Sequence, residues 1–245
     1  MKLTHKDADK LLVKGIDLNY GDFVDHTVLK AYTTEDVVKA FCDEAKAGNA
    51  RAVCINPYNV PLVKKELEGT GIMCAAVIGF PLGANKTEVK AFEAKLAMED
   101  GADELDMVIN VGALRDGKYD YVLNDIKAVV EAGKPAAVKV IIETCYLTDE
   151  QKVKVCELAK EAGAAFVKTS SGFGTSGATV HDIELMRKTV GPDMGVKAST
   201  GINDRETAYA MIKAGADRLG TSKLPQIVND DATIINASKK NVVNL

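Results

Sequence analysis

Lys168, in the run AAFVKTSSG, and Lys197, in MGVKASTG, each interrupt a short apolar stretch rich in β-forming residues. Such stretches read as strands of a parallel sheet covered on both faces, where Val and Ile are expected on either side. A buried lysine is rare because burial disfavours its charged form, and a second one adds like-charge repulsion. Both amines are therefore expected to be depressed in pKa. An unprotonated amine attacks carbonyl carbon and condenses with it to an imine. The pair points to imine chemistry.

Other polar residues recur at alternate positions of similar runs: Asp25 and Thr27, Cys54 and Asn56, Asp106 and Asn110, Lys139 and Glu143, then Ser170 and Ser199. Alternation along a strand places these on one face and Leu105, Met107, Val138, Val140, Val167 and Val196 on the other. Read singly, each has a purely structural alternative. Lys139 is either the ion-pair partner of Asp106 or Glu143, or a direct participant. Cys54 is equally a small buried apolar residue, and Asp25 and Asp106 are equally buried counter-ions. Lysines and carboxylates sharing one face are costly to bury unless they pair and work.

One phrase decides which elements position these residues. It appears as AKAGNARAVCIN, MEDGADELDMVIN, KEAGAAFVKTS and IKAGADRLGTS. Each joins the end of an amphipathic helix to a β-rich run through a Gly suited to the left-handed conformation that stops a helix. Strands are expected at 23–29, 51–57, 72–80, 103–110, 136–143, 166–170, 195–200 and 218–222. Helices are expected at 34–47, 58–68, 86–100, 118–132, 148–162, 179–190, 203–214 and 224–236, capped by Thr33 or Thr34, by Thr148 with Asp149 and Glu150, and by Asn203. Eight strands alternating with eight helices in 245 residues is the count of a single (β/α)8 TIM barrel. A doubly wound open sheet is the alternative, but it usually has fewer strands per domain. The chain reads as one domain over 1–245: an extra N-terminal helix and lead-in over 1–20, the barrel over 21–236, and a short tail over 237–245.

Composition excludes several function classes. A formal net charge of −4, with basic residues interleaved among acids, gives no footprint for nucleic acid or an anionic membrane. No apolar run approaches the length of a membrane span, and the charged N-terminus lacks the apolar region of a secretory signal. Five cysteines without C-x-x-C spacing read as reduced thiols in a cytoplasmic protein. Three scattered histidines argue against a His-rich metal centre, and no metal is expected.

The run SSGFGTSG contains G-x-G-x-x-G through Gly172, Gly174 and Gly177. It lies at the sixth βα unit rather than the first, no acidic ribose ligand ends the next strand, and its helix begins late. A dinucleotide site is therefore rejected. With Gly201, Gly220, Thr221 and Ser222 after the last two strands, these Gly/Ser/Thr corners suit the phosphate of a small substrate.

DHTVLK (25–30), VCINPYNV (53–60), GFPLG (79–83), ELDMVINVGAL (104–114), VKVIIETCYLT (138–148), FVKTSSGFGTSGAT (166–179) and GVKASTGI (195–202) together resemble the deoxyribose-phosphate aldolase family, in order, over about residues 20–223. The resemblance implies a (β/α)8 barrel without cofactor. The implied reaction is the reversible cleavage of 2-deoxy-D-ribose 5-phosphate to acetaldehyde and D-glyceraldehyde 3-phosphate, in deoxyribonucleotide catabolism. It implies that Lys168 forms the imine, that Lys197 perturbs it, and that Asp106 carries protons through water. It further implies that Asp25, Thr27, Cys54, Lys139 and Thr169 line the substrate site, and that Gly172, Gly201, Gly220, Thr221 and Ser222 hold the phosphate. The expected partners are sugar phosphates and aldehydes, with apolar helix surfaces compatible with a homo-oligomer. Two positions depart from the family pattern: Thr200-Gly201 stands where a Gly-Gly pair is usual, and the chain ends KKNVVNL without the terminal tyrosine of some members. The rivals are another imine-forming aldolase, a metal-dependent aldolase, and a silent sugar-phosphate-binding barrel.

Overall fold

The computed structural model describes residues 5–7 and 18–229. Eight parallel strands close on themselves in sequence order, with β1 paired to both β2 and β8. They are β1 (Val24–Val28), β2 (Ala52–Ile55), β3 (Met73–Ile78), β4 (Glu104–Val108), β5 (Ala137–Ile141), β6 (Phe166–Lys168), β7 (Gly195–Ser199) and β8 (Arg218–Thr221). Outside them run α1 (Glu35–Ala47), α2 (Val60–Glu66), α3 (Thr87–Glu99), α4 (Val111–Arg115), α5 (Tyr119–Ala132), α6 (Asp149–Glu161), α7 (Val180–Val190), α8 (Arg205–Lys213) and α9 (Leu224–Val228). This is the (β/α)8 barrel that the repeated helix–Gly–strand phrase predicts. Of the expected N-terminal helix only residues 5–7 are described, and they are helical. The tail and the far part of the helix expected at 224–236 lie outside the described residues.

The helix stops show why the phrase works. Gly101, Gly163 and Gly215 take φ of 99°, 80° and 113° just after α3, α6 and α8, a conformation in which any Cβ is strained. After α1 the left-handed position falls one residue later, on Asn49 at φ 48°, because Gly48 itself is the C-cap. Helix starts also differ locally from expectation. Thr148 forms a reciprocal capping box with Gln151 rather than with its acidic neighbours. α8 is capped by Asp204, which accepts from the Thr207 N–H, instead of by Asn203. The unexpected short helix α4 is capped by the Asn110 side chain, which accepts from the Ala113 N–H of that helix, so Asn110 is not a lumen group.

Strand alternation sorts the two faces as expected. Leu105, Met107, Val138, Val140, Val167 and Val196 belong to the main apolar core between sheet and helices. The lumen is different. Ala52, Cys54, Ala75 and Val77 make one small-residue wall on β2 and β3. Small side chains there leave room for the long cations that the remaining strands send inward, among them the fully buried Lys139 and Lys197.

Arg218 anchors the layer nearest the N-terminal end. Its guanidinium lies on the Phe166 ring, 5.6 Å from the centroid. It donates to Asp25 and, through both terminal nitrogens, to Glu104 at 3.2 and 2.6 Å. Replacing it takes a cation from two buried carboxylates and leaves both to the neighbouring lysines, and breaking a buried pair in this way typically costs about 3–5 kcal/mol. Arg218→Met is therefore expected to lower unfolding free energy by about that much in denaturant titrations at neutral pH. Asp25 has a lowered pKa in the fold: its burial raises it, but Arg218, Lys197 and Lys139 together outweigh that. Its contribution is present above the ordinary carboxylate pKa and is lost as pH falls below it. The gap between wild type and variant should thus narrow in acid; a gap independent of pH would contradict the pairing.

Candidate active site

Lys168 ends β6 and Lys197 lies beside it in β7, their Cα atoms in register. Between them the barrel places one carboxylate. Asp106 on β4 accepts through Oδ2 from Lys168 Nζ and from Lys197 Nζ, each at 2.8 Å, and through Oδ1 from Lys139 Nζ at 2.7 Å. The two strand lysines therefore approach the same oxygen, and their nitrogens can be no farther apart than twice that distance. Lys197 also donates to Asp25, and Lys139 also pairs with Glu104 at 2.7 Å and Asp25 at 3.6 Å. Asp25, Asp106, Lys139 and Lys197 are fully buried, and Lys168 nearly so.

These contacts overturn part of the expectation for the lysines. Burial pushes Lys197 down, but the Asp106 and Asp25 carboxylates beside it more than compensate and hold it well above the usual lysine value. Lys139 is raised for the same reason, its burial outweighed by Asp106 and Glu104. Lys197 is therefore a fixed ammonium rather than a second depressed amine. Asp106 in turn is driven well below the usual carboxylate range, its burial overcome by Lys139, Lys168 and Lys197. The partner of Lys139 is Asp106 together with Glu104, not Glu143. Glu143, buried in a left-handed backbone at φ 54°, instead accepts from the Ser171 N–H at 3.1 Å and from the Ser171 hydroxyl, tying the end of β5 to the loop after β6.

A cavity of about 430 Å³ opens above this cluster at the C-terminal ends of the strands. Lys168, Thr27, Gly172, Gly201, Gly220, Thr221 and Ser222 all line it. Asp25, Cys54, Asp106, Lys139 and Lys197 do not; they sit beneath, behind Lys168. Cys54 Sγ is 3.9 Å from Asp106 Oδ2, and burial raises its thiol pKa. Thr169 is turned into the sheet, where its hydroxyl donates to the Ser199 carbonyl at 3.3 Å and accepts from the Ser199 N–H at 3.1 Å. A hollow of about 440 Å³ beside Lys64 and Asp103 lies at the opposite end of the barrel and contains none of the lysine cluster.

The far wall of the cavity is made by the loops after β6, β7 and β8. Gly172 and Gly201 take φ of 90° and 85°, and Thr200 takes φ 72° between them in sequence. A Cβ at Gly177 would meet the Thr200 backbone at 2.3 Å, so this glycine serves close loop packing. That is consistent with rejecting a dinucleotide fingerprint. At the rim, Phe173 meets Phe80 edge-on at 5.4 Å and carries Lys30 Nζ 5.3 Å above its ring.

Two residues of the cluster escaped the sequence reading, although their signals were present. Glu104 stands two residues before Asp106 and so shares its face, and Arg218 stands two before Gly220. Lys30 and Phe173 also line the cavity; they lie outside strand periodicity, so alternation could not find them.

Residues 22–224 match the model of the DeoC/LacD family aldolases. A deoxyribose-phosphate aldolase of Thermococcus gammatolerans is 60% identical over 217 residues, covering 87% of this chain and 96% of that one. One from Clostridium tetani is 59% identical over 209 residues, covering 85% and 97%. The tetrameric structure of the Aeropyrum pernix deoxyribose phosphate aldolase superposes with a TM-score of 0.80 at 31% identity, covering 91% of this chain and 92% of that one. With a lysine-lined barrel mouth of this geometry and relatives of this closeness, the chain belongs to the deoxyribose-phosphate aldolases of the DeoC/LacD family.

Proposed function

We propose that this chain reversibly cleaves 2-deoxy-D-ribose 5-phosphate to acetaldehyde and D-glyceraldehyde 3-phosphate through an imine on Lys168. One observation carries the reading: the charge count of the lumen cluster. Three carboxylates, Asp25, Glu104 and Asp106, are linked by ion pairs to four basic groups, Lys139, Lys168, Lys197 and Arg218. The cluster balances when one basic group is neutral. Lys168 is the one that reaches the cavity, where a substrate can meet it.

Neutral Lys168 Nζ adds to C1 of the open-chain sugar, and loss of water leaves a protonated imine. A base removes the proton of the C3 hydroxyl, C3–O becomes a carbonyl, and the C2–C3 bond breaks. Its electron pair forms the C1–C2 double bond while the imine pair moves onto nitrogen. Glyceraldehyde 3-phosphate leaves; the enamine takes a proton at C2, and water hydrolyses the imine to acetaldehyde and free Lys168. Asp106 is the assigned proton carrier, acting through a water. Such groups typically contribute about 10²–10⁴-fold. Lys197, with Lys139, keeps Asp106 ionised. Thr27 contacts substrate in the cavity, while Asp25, Cys54, Lys139 and Thr169 act from behind it.

The phosphate is assigned to Gly172, Gly201, Gly220, Thr221 and Ser222. Backbone N–H groups of such corners bind anions without a side-chain charge. The chain is read as one barrel domain. An exposed stripe on α3, Val89, Phe92 and Leu96, suits contact with a second copy, in line with the tetrameric relative. Among the described residues no helix is long and apolar enough to cross a membrane, and the five free cysteines fit the cytoplasm.

Borohydride with acetaldehyde should label wild type at Lys168, as located by mass spectrometry, and should not label Lys168→Ala. Undiminished labelling of the variant would reassign the nucleophile. Dihydroxyacetone phosphate or pyruvate replacing acetaldehyde as donor would move the assignment to another imine-forming aldolase. Lys197→Leu removes one of the ammonium groups that hold the Asp106 carboxyl well below the usual carboxylate range. Proton traffic through Asp106 should suffer, with a loss of about 100-fold or more in kcat/KM at pH 7. Unchanged activity would break the electrostatic link.

A further inference from the structure

Five buried side-chain polar atoms make no hydrogen bond among the described residues: His26 Nδ1, Arg51 Nε, Thr144 Oγ1, Ser199 Oγ and Gln226 Oε1. Only one of them, Ser199 Oγ, belongs to a residue that lines the cavity. Its neighbours are committed elsewhere. The Ser170 hydroxyl donates to Thr169 Oγ1 at 3.0 Å, and the Thr221 hydroxyl donates to the Ile202 carbonyl at 2.6 Å. A buried hydroxyl without a partner is costly and rare, and one that faces a substrate cavity calls for a role there.

Its place on the strand says which group. Ser199 lies two residues beyond Lys197 on β7, so it projects into the lumen one step nearer the cavity mouth. Two residues farther along the chain is Gly201, in the loop assigned to the phosphate. Room for the hydroxyl comes from Gly220, the register partner of Ser199 on β8, where a Cβ would lie 2.2 Å from Ser199 Oγ. A sugar held at C1 by Lys168 and at C5 by the phosphate loops must pass this point. Its C3 hydroxyl is the one that gives up a proton beside the lysine cluster. The C4 hydroxyl is one carbon closer to the phosphate.

We propose that Ser199 is a specificity-determining residue whose hydroxyl bonds the C4 hydroxyl of the sugar, which is the α-hydroxyl of the acceptor aldehyde in the synthetic direction. This rests on the aldolase reading above. No bond of the reaction is made or broken by Ser199; it selects acceptors that carry an α-hydroxyl and fixes their face toward the enamine. Selection of this kind is effective because a site built around a hydroxyl is left with an unpaired polar group when the analogue lacks it.

The test uses the full-length protein and Ser199→Ala, which removes only the oxygen. Synthesis is measured with acetaldehyde as donor and with D-lactaldehyde or propanal as acceptor, a pair that differs in the α-hydroxyl alone and contains no phosphate. The variant should lose about tenfold in kcat/KM with D-lactaldehyde, and likewise with D-glyceraldehyde 3-phosphate, the effect of one hydrogen bond. Propanal should be unaffected within about twofold. Equal losses on both acceptors, or no loss on either, would overturn the assignment, since a purely structural role changes them together. Borohydride trapping with acetaldehyde is run on both proteins. If wild type fails to label at Lys168, the imine reading has failed, and the role of Ser199 falls with it. If both proteins label and the acceptor preference stays fixed, only the role of Ser199 is lost.

Discussion

A barrel lumen is a poor solvent for ions, and everything at this site follows from how its charges are matched. Four long basic side chains enter from β5 to β8, and three carboxylates from β1 and β4 meet them. Each isolated charge would be expensive there, and each pair offsets that cost only with near-ideal geometry and saturated hydrogen bonding. Asp106 achieves this with both oxygens occupied by ammonium groups. Lys168, the member that reaches the open end, shares its carboxylate oxygen with Lys197, while Lys139 holds the other oxygen, so the cluster is matched as a whole rather than pair by pair.

Space imposes the second constraint. Lys139, Lys197 and Arg218 cannot share a lumen with another ring of Ile and Leu. The wall on β2 and β3 is accordingly Ala52, Cys54, Ala75 and Val77. On the other side Gly220 gives Ser199 its room. Outside the sheet the packing is ordinary, with Val, Leu, Ile and Met interleaved between strands and helices. Stability is therefore supplied mainly by the outer layer, while the inner layer exchanges apolar burial for positioned charge.

Most of the architecture was legible because it depends on local rules. The helix–Gly–strand phrase locates β2, β4, β6 and β8, the β-rich runs around these anchors supply the other four strands, and parity along each strand assigns the inner and outer faces. Short-range capping was less legible. Asn203 and Asp204 are both good caps, and the choice between them rests on which side chain reaches the Thr207 N–H. The lysines mark the site in the sequence, but the strand alone implies a lowered pKa at Lys197, where the closed barrel gives a raised one. Burial and repulsion can be inferred from a strand; the number of carboxylates facing it from β1 and β4 cannot be counted until the barrel closes. Glu104 and Arg218 obey the same parity as Asp106 and Gly220, but parity does not say that a carboxylate of β4 and a guanidinium of β8 meet across the lumen.

Two non-glycine residues in the described chain, Glu143 and Thr200, hold left-handed backbone at the cavity end of the barrel, at φ 54° and 72°. Such positions cost about 1–3 kcal/mol each and persist where the surroundings fix them for a purpose. Glu143 uses that backbone to aim its carboxylate at Ser171, and the Ser171 hydroxyl in turn accepts from the Phe173 N–H at 3.0 Å. Strain at the end of β5 is thereby converted into a defined path for the loop that starts at Lys168. Thr200 does the same from β7: its carbonyl accepts from the Ala178 N–H at 3.1 Å, and the turn it makes brings Gly201 to the cavity wall. A glycine at 200 would adopt this backbone without strain. Keeping a threonine there places a hydroxyl close to Gly172, within 3.1 Å of where that residue's Cβ would be. The loops after β6 and β7 are thus locked to each other, and this end of the cavity wall is held in one arrangement.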